Sequence, residues 1–72
     1  MERDLIEAQE RVAKATKQLL PSHRIESVKE RGCICFRIEN PDGTVLRLLP
    51  AVRPKEVLHW TNAELHRMIL GL

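Results

Sequence analysis

Leu5, Ala8, Val12, Ala15 and Leu19 recur at alternating spacings of three and four residues, a period that places them on one stripe of a helix. The pattern predicts a helix over residues 2–20, its stripe widened by Ile6, Ala13 and Leu20. Acids come first (Glu2, Asp4, Glu7, Glu10) and bases later (Arg11, Lys14, Lys17), the order that the helix dipole favours. Pro21 ends the helix, because the residue before a proline avoids the α region. The small alanines let the helix approach a flat surface closely, so its expected seat is a face of the chain's own sheet. The same spacing, barely two heptads long, also suits a short helix pair between two subunits.

From residue 24 to residue 50 the apolar period shortens to two, which predicts three strands. The firmest local signal is Asn40-Pro41-Asp42-Gly43. Pro41 presets φ, Asn40 and Asp42 can bond nearby backbone, and Gly43 takes the left-handed position that closes a hairpin with a bulge. Such a turn pairs Asn40 with Thr44. Alternation then sets Ile38 against Leu46 and Phe36 against Leu48, and with Ile34 these form one apolar face. The opposite face carries Cys33, Cys35, Arg37, Glu39, Val45, Arg47 and Leu49, charged toward the turn and apolar toward the other end. A further element or a partner must cover Cys35 and Leu49. A two-residue turn at Arg31-Gly32 places Glu26 opposite Arg37 and Ile25 beside Ile38, which pairs opposite charges and buries Ile25. A three-residue turn would flip that strand.

Residues 53–72 predict a helical C-terminus in two pieces. Pro54 suits the first turn of a short helix through Leu58. Thr61-Asn62-Ala63-Glu64 matches a capping box, with Trp60 placed to pack on Leu65 as a hydrophobic staple. Leu65, Met68, Ile69 and Leu72 supply the buried stripe, and Gly71 is a natural C-cap. The expected fold is α+β, a single domain over residues 1–72 in the order α-β-β-β-α. Its three-stranded antiparallel meander carries the N-terminal helix on the Ile34/Phe36/Ile38 face, and the C-terminal helix covers part of the sheet or its end.

Composition fits this reading. Of 72 residues, 43% are hydrophobic and 31% charged, the balance of a folded chain and not of a disordered one. Phe36 and Trp60 are the only aromatics, so the core rests on Leu, Ile, Val and Ala. A domain this short buries only about 60% of the surface its unfolded chain exposes, and a second subunit is a common remedy for a marginal core. The start, Met1-Glu2-Arg3-Asp4, lacks the apolar segment of a secretory signal. No apolar run approaches the ~20 residues of a membrane span, and cysteines without a secretory signal fit a reducing compartment. The expected location is the cytoplasm, with no membrane partner. The net charge of +2 names no partner by itself.

Candidate chemistry is sparse. Cys33 and Cys35 share one side of a strand, but they are not a Cys-x-x-Cys pair, and no second cysteine pair exists to complete a metal site with His23 or His66. They read as small apolar residues, and no metal or cofactor is expected. His23, His59 and His66 match no metal-binding spacing. Ser22 and Ser27 lie outside any Gly-x-Ser-x-Gly elbow, and the three glycines are already assigned to turns or a cap. No catalytic residue is expected, and the chain reads as no enzyme.

Two binding readings remain. The outer sheet face, with Arg37 and Arg47 opposite one another beside Cys35, Val45 and Leu49, has an apolar centre and an arginine-rich rim, the composition of an interface. It predicts a non-catalytic protein-binding module, a homodimer, acting as a small regulator or inhibitor on a host protein complex. That role follows the size class of phage and mobile-element accessory proteins. The alternative is a nucleic-acid-binding regulator using a basic sheet face of Arg24, Lys29, Arg31, Arg37 and Arg47. Against it, the one strand aromatic, Phe36, points toward the core and offers bases no stacking platform.

Overall fold

The helical stripe is realised in α1 (Glu2–Leu19), where Ala8, Val12 and Ala15 are buried and Leu5 and Leu19 pack at the border of the core. The structure, a computed structural model, describes residues 2–72; Met1, where the reading of the chain's start begins, lies outside them. The stripe is not widened toward Ile6 and Ala13, both of which are exposed; it runs on to Thr16, which is fully buried.

Three strands follow: β1 (Arg24–Glu30), β2 (Cys33–Glu39) and β3 (Val45–Leu48). They form one antiparallel sheet in the order β1-β2-β3. The β1/β2 hairpin has the expected two-residue turn, with Arg31 at φ 50° and Gly32 at φ 78°. Positive φ at both central residues is the turn whose twist matches that of the strands. Glu26 accordingly stands opposite Arg37 and Ile25 opposite Ile38. At the second turn Asn40 N–H donates to the Thr44 carbonyl at 2.7 Å, and Asp42 accepts from both the Thr44 backbone (3.0 Å) and its hydroxyl (2.6 Å).

Beyond that turn the strand departs from simple alternation. Glu39 pairs with Val45, but Ile38 pairs with Arg47 and Arg37 with Leu48. Leu46 is therefore an extra residue, a β-bulge, and every later side chain of β3 changes face. The expected pairs Ile38/Leu46 and Phe36/Leu48 do not form. Phe36 instead accepts from the Leu49 amide at 2.9 Å, and Leu49 is buried. A second extra residue near Pro50 precedes the bridge of Ile34 to Val52.

The C-terminal segment forms α2 (Pro54–His59) and α3 (Asn62–Leu70). Val57, Leu65 and Ile69 join Ile34, Phe36, Ile38, Leu49 and the α1 stripe in one core. Trp60 and Met68 pack at its border, whereas Leu72 is 85% exposed, not part of the buried stripe. All three helices contribute to the core on one face of the sheet. Arg11 of α1 ties the layer together, its guanidinium donating to the carbonyls of Val57 and, at 2.6 Å, Trp60.

The capping box of α3 is complete: Thr61 Oγ1 accepts from the Glu64 amide and Glu64 Oε1 accepts from the Thr61 amide. Backbone and then side-chain bonding to Thr61 holds the Glu64 carboxyl below its ordinary pKa, and the Thr44 side chain and then its amide do the same to Asp42. Both groups bind a proton less readily folded than unfolded. Their stabilisation is complete above the ordinary carboxyl range and is lost as pH falls through their lowered values. Urea melts from neutral to acid pH should show wild type losing more stability than the Asp42→Asn/Glu64→Gln double variant. Parallel pH profiles would remove these two carboxylates as contributors.

Candidate functional site

The helices leave the other face of the sheet uncovered. Alternation along β1 and β2 puts Arg24, Glu26, Val28 and Glu30 there with their partners Glu39, Arg37, Cys35 and Cys33. Val45 and Leu48 join them from β3 through their pairing with Glu39 and Arg37. Val28 is 61%, Leu48 69% and Val45 49% exposed. Val28, Cys35 and Leu48 line a shallow groove of about 240 Å³, bordered by Glu26 and Arg37. An apolar strip with a charged border thus crosses the middle of a free sheet face.

The charges on this face are organised around Arg37. Its guanidinium bonds Glu26 from one side and Glu39, at 3.1 Å, from the other. Glu39 is largely buried, with its side chain 11% exposed, so Arg37 supplies the partner that a buried carboxylate requires. Arg37 is already paired with two carboxylates and is not a free cation.

The bulge at Leu46 redistributes the remaining candidates. Cys35, Arg37 and Val45 lie on the outer face as expected. Arg47 and Leu49 do not: both turn to the helix side. Leu49 closes the core beside Phe36. Arg47 Nη1 donates to the Ile69 carbonyl at 2.7 Å, where a cation complements both an unpaired carbonyl and the negative end of α3. Its guanidinium lies so close to Gly71 that any Cβ there would collide with it, and Gly71 also has φ 75°. The left-handed φ is what calls for glycine at this C-cap; a Cβ there would also push the Arg47 guanidinium aside.

Arg37 and Arg47 are therefore not opposite one another, and the basic set proposed for nucleic acid does not share a surface. Arg24 is on the outer face, Lys29 alternates to the helix side of β1, Arg31 sits in the turn, Arg37 is ion-paired and Arg47 caps α3. Cys33 and Cys35 are free thiols, both half-buried. Among the described residues no three His, Cys, Asp or Glu side chains come together as metal ligands, so Cys33 and Cys35 gather neither His23 nor His66.

Val28 and Leu48 are the residues that the sequence reading passed over. Val28 was accessible to it, since the Glu26/Arg37 register already sets Val28 opposite Cys35. Leu48 was not, because only the bulge brings it outward. Comparison with family models, with curated proteins and with solved structures finds no match for this chain. Among the described residues no helix is long and apolar enough to cross a membrane.

Proposed function

We infer that the protein is a non-catalytic protein-binding module that docks through the outer face of its sheet. The observation that carries this reading is the free face itself, where Val28 and Leu48 stand more than half exposed around a groove closed at its border by Glu26 and Arg37. Large exposed apolar side chains clustered inside a polar border mark interaction surfaces on small soluble domains. The face carries Arg24 and Arg37 against Glu26, Glu30 and Glu39, and Arg37 is bonded to two of those carboxylates, which favours a protein partner over a polyanion. The reading is that of a small regulator or inhibitor acting on a larger cytoplasmic complex, of the kind phages and mobile elements encode.

The test compares immobilised wild type with Val28→Glu, Leu48→Glu and the remote surface variant Glu10→Gln. Wild type and Glu10→Gln should retain the same host protein, the two face variants should lose it, and the pair should reassemble from purified components. Retention that ignores both face variants, or a salt-sensitive shift of DNA or RNA, would overturn the reading.

A further inference from the structure

The free edge of β1 is a second unpartnered surface, distinct from the outer face. In an antiparallel pair a residue's N–H and C=O point to the same side, and the sides alternate along the strand. Ile34 exchanges bonds with Val52 (2.7 and 3.1 Å), and Phe36 accepts from Leu49. Even-numbered residues of β2 thus face β3, and its odd-numbered residues face β1. Their partners Arg24, Glu26, Val28 and Glu30 take up those bonds. Ile25, Ser27 and Lys29 consequently aim their backbone groups away from the sheet, and among the described residues none of them makes a backbone bond outside the ladder. Strand edges are ordinarily blunted by charged side chains, by proline, by a bulge or by a covering segment; on β1 only the charges of Arg24, Glu26, Lys29 and Glu30 serve that role. The β3 edge is short and interrupted by Leu46 and Pro50. The β1 edge runs seven residues with no proline, and its pairing to β2 is unbroken.

We propose that β1 pairs antiparallel with β1 of a second copy of this chain, joining the two sheets into one of six strands. The sequence Arg24-Ile25-Glu26-Ser27-Val28-Lys29-Glu30 is charge-complementary to itself in reverse. With the two-fold axis at Ser27, Arg24 faces Glu30 of the second copy, and Glu30 faces its Arg24. Ile25 and Lys29 exchange bonds across the axis, so all three outward residues of each strand are paired. A shift by two residues sets Glu26 against Glu26 or against Glu30 of the second copy, and leaves outward backbone groups unpaired. Like charges directly opposite are unfavourable. A shift by one turns the second sheet over, against the alternation of faces.

A separate observation on α1 agrees. Gln9 Nε2 donates to Ser27 Oγ at 2.9 Å, whereas Arg11, on the other flank of the helix, bonds the α2 end. Ile6, which is 52% exposed, and Ala13 lie on the Gln9 flank by helical spacing. An apolar helix flank is therefore left open on the side of the free edge, where the α1 of the second copy would lie. The dimer extends the docking reading by setting two outer faces side by side. It does not depend on that reading, since it uses different groups.

Sedimentation of the full chain at micromolar concentration should give twice 8.3 kDa. Lys29→Pro removes an outward N–H and no ladder bond, and should leave the circular dichroism folded while shifting the mass to the monomer. Glu30→Arg and Arg24→Glu should each weaken self-association by about tenfold, and an equimolar mixture of the two should recover the dimer, because only the mixed pair restores opposite charges at both positions. A monomeric wild type would overturn the proposal. So would a dimer that persists in Lys29→Pro, or one lost only in Leu48→Glu, which would move self-association to the outer face.

Discussion

Leu49→Glu is expected to abolish cooperative unfolding at room temperature, whereas Leu48→Glu leaves the melt within about 1 kcal/mol of wild type. The two leucines are adjacent and chemically identical, but Leu49 is 5% exposed and Leu48 69%. At position 49 the substitution removes a leucine packed in the same core as Phe36, Val57 and Ile69 and leaves a carboxyl with no partner. Lost burial and desolvation together cost at least about 4 kcal/mol. That is comparable to the entire stability of a domain of 72 residues, roughly 4–11 kcal/mol. Urea titration followed by Trp60 fluorescence decides the matter. The opposite ranking would mean that β3 lacks the bulge and alternates as its turn alone suggests.

The second large effect belongs to Arg11. Replacing it with methionine keeps most of the stem but leaves the Val57 and Trp60 carbonyls, between which α2 ends and α3 is set up, without their donor. Hydrogen bonds to a charged group are worth about 1.5–3 kcal/mol each. Because the pair shares one side chain and is only partly buried, about 2–3 kcal/mol is expected, a fall in Tm of roughly 8–24 °C for a domain of this size. Arg11→Lys keeps the charge but lacks the planar fork whose two nitrogens reach separate carbonyls, so it should recover about half of the loss. Thermal melts of the two variants are the measurement. A methionine variant within 1 °C of wild type would show that water satisfies the carbonyls equally well.

Both effects come from contacts far apart in the chain, and they mark where sequence reasoning stops. The α1 stripe, the Arg31-Gly32 turn, the Asn40–Gly43 turn and the Thr61/Glu64 capping box were all legible, because each depends on residues within a few positions of one another. The β1/β2 register followed from them, since a two-residue turn leaves no freedom and Glu26 then meets Arg37. Hence half of the candidate surface, Val28 with Cys35 and Arg37, was determined by sequence.

The other half was not. Val45-Leu46-Arg47-Leu48-Leu49 is apolar on both parities, so alternation cannot say which leucine is buried. Only the tertiary structure decides, through two contacts made in the far part of the chain. Leu49 fills the space between Phe36 and the C-terminal helices, and Arg47 reaches the Ile69 carbonyl at the end of α3. One extra residue at Leu46 achieves both and turns Leu48 out to the free face. Local chemistry thus determined the elements, the turns and the first hairpin. Long-range packing against α2 and α3 determined which side of β3 became core and which became the candidate docking surface.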